Sequence, residues 1–412
     1  MSINIDLSFF YDGYFRNNKN FFDSYKKNLE KCEKGSEKLI EEIKNGSNEI
    51  INSFSLEYQN KIKSKRDLLK KKNKQLVVGM GGSTAGTKAI NSFLESNIFF
   101  LDNYDPRHIN NFFQTHDLKE FSIYIVSKSG STSETLSMLD LIYNHLLKIS
   151  DQDVLENQFI VIVENTDNPL HNFAKKKNFS IVYHNELIGG RYSVFSETSL
   201  ILFDFKPEQI SLSADLVIKE LLNYKSDNHN NPAVNAAIIL ALQETKNISL
   251  NVNLIYYYLL KNFSYWFHQL FAESLGKNNF SLTPMTSICP KDHHSMMQLY
   301  IDGPQNKFFN IFPPCPNKFF GSYSSSILKK SKEIDPNNLL FAHYMGLIKT
   351  FKNRNIPHRI IKCSDNDTSK IGNIFGLFAH YIVETIIIAY AQNINPYDQP
   401  GVQLLKDNTS IF

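Results

Sequence analysis

The chain of 412 residues predicts an α/β protein made of two doubly wound domains, each a parallel sheet flanked by helices. Three observations carry that prediction. From Gln75 onward, short apolar runs recur, each bounded by turn residues and followed by a helical segment. That alternation is the pattern of buried parallel strands covered on both faces. A second series of the same kind follows residue 230, and the composition, 42% hydrophobic with 13% aromatic, supplies enough apolar side chains for two cores.

The elements divide the chain into three parts. Residues 1–70 read as polar, lysine-rich helices with spaced aromatics such as Phe21, Phe22 and Tyr25, wrapping a neighbouring domain without a core of their own. Residues 71–215 form the first domain. A strand over 75–79 leads to a helix near 84–95, one over 99–101 to a helix near 107–116, and one over 121–126 to a helix near 132–148. A strand over 159–163 is followed by a helix over 169–177, and 180–184 is strand-like. Residues 216–412 form the second domain: a helix over 232–246, a strand over 249–256, a helix over 263–275, a strand-like run over 297–301, a helix over 338–352, a strand over 358–361 and a helix over 370–392. The join is expected near 205–230, marked by Lys206-Pro207 and by the segment from Asp227 to Pro232.

Composition excludes several classes. A net charge of +3 with scattered lysines leaves no electrostatic footprint for nucleic acid. The densest cluster, between Lys61 and Lys74, reads as a solvated helix face. Four widely spaced cysteines form no CxxC pair, so a reduced, cytoplasmic setting is expected and a zinc site is not. The start, MSINIDLSFFYDGYF, has neither the basic opening nor the apolar run of a signal peptide. The apolar stretch 374–391 is long enough for a membrane test, but it carries His380 and Glu384 and runs into a polar loop. A buried helix is the better reading.

Two loops at the ends of expected strands carry the first chemical signal. Gly79-Met80-Gly81-Gly82-Ser83 follows Leu76-Val77-Val78. Its glycines let backbone N–H groups approach a ligand, although the spacing fits neither GxGxxG nor a P-loop, and a plain strand-to-helix turn explains it as well. The second loop runs Ser127-Lys128-Ser129-Gly130-Ser131-Thr132-Ser133-Glu134-Thr135. Ser131 and Glu134 have capping-box spacing, but a cap uses one hydroxyl and the stretch from Ser127 to Ser133 offers five. Hydroxyls and amide N–H groups converging at a helix start make a cradle for a phosphate monoester.

Four further segments bear on catalysis. Gly189-Gly190-Arg191-Tyr192-Ser193 exposes an arginine beside a double glycine; it suits either a developing oxyanion or an ordinary surface ion pair. Glu273 sits near the end of an expected helix, where the dipole disfavours a carboxylate. It is a candidate general base, or a surface glutamate paired with Lys277 four residues on. In Pro290-Lys291-Asp292-His293-His294-Ser295 the adjacent histidines are awkward as joint metal ligands and better suited to acid–base work. Finally, Asp398-Gln399-Pro400-Gly401 reads as a turn entering a helix that carries Lys406.

In this order, SKSGSTSET, GGRYSV, ESLGK, PKDHHSMMQLYIDGP and QPGV…K resemble the phosphoglucose isomerase family, from about Gly79 to Lys406. The resemblance implies two stacked sugar isomerase domains, a homodimer with active sites at the interface, and reversible conversion of glucose 6-phosphate to fructose 6-phosphate, in glycolysis and gluconeogenesis, without metal or cofactor. Carried over by motif, the phosphate would be held by Ser127, Lys128, Ser129, Thr132 and Thr135, and the sugar contacted by Gly82, Ser83 and Gln399. Glu273 would be the base, His294 with Lys406 would open the ring, and Arg191 would stabilise the enediolate. Three positions depart from the family pattern: His293 replaces the usual glutamine, Leu275 the usual asparagine, and Cys289 the usual glycine. A non-catalytic sugar-phosphate sensor and a related aldose–ketose isomerase are the alternative readings. Retention of Glu273, His294 and Lys406 weighs against the sensor.

Overall fold

Apolar runs with β-branched residues become central strands wherever helices cover both faces, and this happens twice in the chain. The computed structural model describes residues 3–150, 152–315, 335–363 and 370–409. Its strands are β1 (Ile3–Asp6), β2 (Lys74–Val78), β3 (Ile98–Leu101), β4 (Phe121–Val126), β5 (Phe159–Glu164), β6 (Ser180–His184), β7 (Leu250–Ile255), β8 (Thr283–Ile288), β9 (Lys307–Phe312) and β10 (His358–Cys363). The first sheet has the order β3-β2-β4-β5-β6 and is parallel throughout. The second has the order β8-β7-β9-β10-β1, parallel except for β1, which pairs antiparallel with β10. In each sheet the winding reverses beside its first parallel strand, between β2 and β4 and between β7 and β9. Two doubly wound α/β sheets are therefore present, as the alternation of elements predicts.

Three readings of the sequence need correction. The segment expected to be wholly helical opens with β1, where Ile3 and Ile5 point inward beside exposed Asn4. Four residues give too short a period-two signal to stand out. The run 297–301, expected as a strand, is the helix Met297–Asp302, anchored by Tyr300, whose hydroxyl meets Ser287 Oγ at 2.7 Å. The strands on either side of it, β8 and β9, escaped notice. β8 carries Pro284 and three hydroxyl residues, which an edge strand tolerates, and β9 is interrupted by Lys307 and Asn310. The residue 215/216 division falls inside the helix Pro207–Leu222, which packs on the helix Lys370–Ala391.

Lys370–Ala391 is the one described helix long and apolar enough to cross a membrane, yet 89% of its apolar window is buried within the protein. It shares the main core with the Lys19–Lys44 and Pro232–Lys246 helices. Within it, His380 and Glu384 have buried partners. Glu384 takes two hydrogen bonds from Arg359, at 2.5 and 2.9 Å, and His380 Nε2 lies 3.3 Å from it. Arg359 also donates to Asn310 Oδ1 and Asn235 Oδ1, so both carboxylate oxygens and four of the five guanidinium N–H groups have partners in the interior. Burial alone would raise the Glu384 pKa, but the Arg359 charge and the hydrogen bonds from His380 and Arg359 hold it well below the usual carboxylate range.

Candidate active site

β2 and β4 flank the reversal of the first sheet, so the loops leaving their C-terminal ends share one crevice. The loop over 79–83 follows β2 and starts the helix Gly82–Leu94. A Cβ at Gly82 would lie 2.5 Å from the Gly190 carbonyl carbon and 2.9 Å from the Arg191 nitrogen. Glycine is needed here because the two loops touch backbone to backbone, which places Gly82 and Ser83 beside Arg191. The loop over 127–132 follows β4. Its Gly130 has φ +63°, and a Cβ there would collide with Asn168.

No hydroxyl of this second loop caps the helix Ser133–Leu147, and the Ser131–Glu134 box does not form. Ser131 Oγ meets Ser129 Oγ at 3.0 Å, Ser127 Oγ donates to Thr132 Oγ1 at 3.2 Å, and Ser133 Oγ donates to Glu134 at 3.0 Å. The first N–H groups of the helix therefore face the loop without a side-chain cap, the condition for holding an anion. Thr135 is fully buried and its hydroxyl has no partner among the described residues. Lys128 Nζ rests 3.5 Å from Glu164 at the end of β5.

Arg191 lies in the short helical turn Gly190–Phe195 and is 3% exposed. All five of its N–H donors are engaged. Nε donates to Ser274 Oγ (2.9 Å); Nη1 donates to Glu273 Oε2 (3.2 Å) and Gln399 Oε1 (2.8 Å); Nη2 donates to the Pro396 carbonyl (2.6 Å) and the Asp398 carbonyl (3.1 Å). Glu273, two residues from the end of the helix Lys261–Leu275, is held from its other side by Gln269 Nε2 at 2.9 Å. The bland reading of Glu273 as a surface partner of Lys277 does not hold, because Lys277 pairs with Asp398. Ser274 and Gln269 were not picked out from the sequence. Gln269 stands four residues before Glu273, the spacing of helical neighbours, and could have been found.

The structure thus gathers Gly82, Ser83, Arg191, Glu273 and Gln399 at the mouth of the crevice where Ser127, Lys128, Ser129 and Thr132 line the second loop. His294 stands apart. It follows the turn Lys291–His293 at the end of β8, is exposed, and its ring has no hydrogen-bond partner among the described residues. His293 is the half-buried member of the pair, with Tyr256 Oη 2.7 Å from its Nε2 and the His343 ring 5.5 Å away. Burial first, then the nearby His343 and His294, lower its pKa and keep it neutral. Lys406 falls within the helix Pro400–Thr409, but its side chain lies outside the described residues. Among the described residues, no group of three or more His, Cys, Asp and Glu side chains is placed to share a metal ion.

A hydroxyl-rich loop and a glycine loop at the reversal of a doubly wound sheet, with a guanidinium that clamps a carboxylate packed against the glycine loop, define a class of α/β protein whose candidate ligand site lies outside the strand ends. Comparison with known proteins makes the assignment particular. The phosphoglucose isomerase family model matches residues 49–286. A probable glucose-6-phosphate isomerase of Methanococcus maripaludis is 30% identical over 348 residues, covering 80% of this chain and 76% of that protein. A glucose-6-phosphate isomerase of Methanocaldococcus jannaschii is 29% identical over 340 residues, covering 80% and 81%. Among solved structures, a hypothetical protein of Thermus thermophilus superposes with TM-score 0.75 at 22% identity, covering 99% of both chains. This chain belongs to the phosphoglucose isomerase family.

Proposed function

We propose that the chain interconverts glucose 6-phosphate and fructose 6-phosphate through a cis-enediol(ate), as a cytoplasmic homodimer serving glycolysis and gluconeogenesis. The observation that carries this reading is the Glu273 carboxylate, fixed by Arg191 on one oxygen and Gln269 on the other. A carboxylate held this firmly suits proton transfer between adjacent carbons, a step that needs position more than strength.

The phosphate settles on Ser127, Lys128, Ser129 and Thr132 and on the uncapped N–H groups of the helix behind them. Lys128 exchanges Glu164 for the phosphate. His294, supplied by the partner subunit and aided by Lys406, returns a proton to the ring oxygen while the C1 hydroxyl loses one, which opens the ring. Glu273 then takes the proton from C2. The electron pair left behind forms the C1–C2 double bond, and the oxygen on C1 gains negative charge. The C2 hydroxyl proton passes to the C1 oxygen as the C2 carbonyl forms, and Glu273 returns its proton to C1, which yields the ketose. Arg191 offsets the enediolate charge. Its donors are already engaged, so it acts through its field and through the two groups it holds, and a direct bond to substrate requires displacing Gln399 or Glu273.

The test is a coupled assay of fructose 6-phosphate conversion on purified protein, with and without EDTA. Turnover in both conditions is expected. No turnover of either hexose phosphate despite tight binding would favour the sensor, and restoration only by a divalent ion would overturn the metal-free mechanism.

A further inference from the structure

The segment 395–399 supplies three of the five acceptors that saturate Arg191: the carbonyls of Pro396 and Asp398 and the side chain of Gln399. Nothing in the segment is helical or paired in a sheet, so its shape depends on what grips it from outside. Besides Arg191, three grips are visible, one of them the Tyr192 hydroxyl, which donates to the Pro396 carbonyl at 3.0 Å. On the near side, Lys277 Nζ donates to Asp398 Oδ1 at 2.6 Å and to the Asn395 carbonyl, while Asn395 Nδ2 donates to Asp398 Oδ2 at 3.2 Å. On the far side, Tyr397 Oη meets Tyr390 Oη and accepts from Asn48 Nδ2, both at 2.9 Å, and Tyr390 Oη donates to Glu42 at 2.6 Å. The Lys277 side chain is 12% exposed, and it leaves a tight turn in which Asn278 and Asn279 both take positive φ. That turn begins as the Glu273 helix ends.

We propose that Lys277 is a positioning residue for the isomerisation. Its ion pair with Asp398 sets the 395–399 segment against the end of the Glu273 helix, and the segment in turn aims the Arg191 guanidinium at Glu273 and Gln399. The chain of contacts is continuous: Lys277 to Asp398 and Asn395, the Pro396 and Asp398 carbonyls to Arg191 Nη2, and Arg191 Nη1 to Glu273 Oε2. An ion pair with one half-exposed member contributes little to global stability. Its release would be felt in the geometry of the carboxylate, where a shift of about 1 Å costs on the order of 100-fold in rate. Tyr192 Oη holds the Pro396 carbonyl, but outside Arg191 only Lys277 and Asn395, among the described residues, bond to Asp398. This inference rests on the isomerase reading above.

The experiment compares Lys277→Ala, Lys277→Arg and Asp398→Asn with the wild type in fructose 6-phosphate turnover, with thermal unfolding and amide hydrogen exchange measured on each. For Lys277→Ala we expect kcat to fall roughly 10- to 100-fold with KM changed less than about threefold, the signature of lost transition-state positioning. Lys277→Arg should recover much of that loss, and Asp398→Asn should resemble Lys277→Ala. Exchange should quicken at the Tyr397 and Val402 amides, which bond to Asn395 Oδ1 and the Gln399 carbonyl. Wild-type kcat in Lys277→Ala overturns the proposal, as does a fall in kcat explained by global unfolding and not relieved by arginine. An inactive wild type would instead refute the isomerase reading, so the two failures are distinguishable.

Discussion

At the scale of single residues, the Glu273 carboxylate is defined by what its neighbours leave it free to do. Arg191 and Gln269 each take one oxygen of Glu273, so the side chain has little freedom to rotate and presents its remaining lone pairs in a fixed direction. Glu273→Gln keeps the shape and one acceptor but cannot take the C2 proton. The expected outcome is a loss in kcat of ~10²–10⁴-fold with KM little changed. Exchange of the C2 hydrogen with solvent deuterium should vanish in parallel. More than about a tenth of the wild-type rate would remove Glu273 from the role of base. The saturation of Arg191 is a finding that motif reading did not anticipate. Resemblance implied an arginine aimed at the enediolate, whereas its five donors are engaged by protein groups that bracket the carboxylate.

At the scale of elements, the proposed phosphate site over 127–132 rests on a buried strand, β4, that ends where an uncapped helix begins. The hydroxyls bond among themselves and none caps the helix, which in the proposed function leaves its first N–H groups for the phosphate. Lys128→Ala and Thr132→Ala are therefore expected to raise KM for sugar phosphates several-fold each while slowing the saturated enzyme much less, measured by steady-state kinetics. Unchanged KM in both variants would place the phosphate elsewhere. Inorganic phosphate as a competitive inhibitor should weaken in step with the substrate, since the same contacts hold both.

At the scale of the whole molecule, buried titratable groups link stability to pH. Burial, opposed only partly by the bond from its Nδ1 to the Ile356 carbonyl, lowers the His358 pKa to about 4. The unfolded chain takes up that proton near pH 6.5, so the stability gained by keeping the ring neutral is complete above that pH and is lost as pH falls towards 4. By pH 5 the loss is about 2 kcal/mol from this group alone. Glu197 adds the same sign lower down. Burial would raise its pKa, but His184 and Lys65 together lower it to about 2, so its contribution fades between pH 4.5 and 2. Melting temperature should fall steadily below pH 6.5, and His358→Phe, which keeps the ring packed near Phe9 and Phe351, should flatten the slope above pH 5. A melting temperature that is level or rising between pH 6.5 and 5 would contradict this assignment. Assembly has its own test. Glu273→Ala and His294→Ala homodimers, unfolded together and reassembled, should regain about a quarter of wild-type activity. About half of random dimers are mixed, and each mixed dimer rebuilds one intact site when the histidine crosses the two-fold interface. No recovery, with mixed dimers confirmed by mass, would mean each subunit completes its own site.

The sequence by itself determined what is local. Strand-then-helix alternation defined the class of fold, and strand ends marked by glycine or clustered hydroxyls located both loops, because hydrophobic periodicity and turn chemistry act over a few residues. The order of the motifs carried the family. What the tertiary structure decided depends on residues far apart in the chain. Arg191 meets the Pro396 carbonyl across 205 positions, and no local pattern could pair Lys277 with Asp398 when Glu273 stood four residues away. β9 was hidden because Asn310 interrupts its apolar run, and that asparagine belongs to the buried Arg359–Glu384 network formed only when two strands and a helix meet. Long-range polar contacts of this kind carry no local propensity cost and leave no periodic trace, so only the folded chain reveals them.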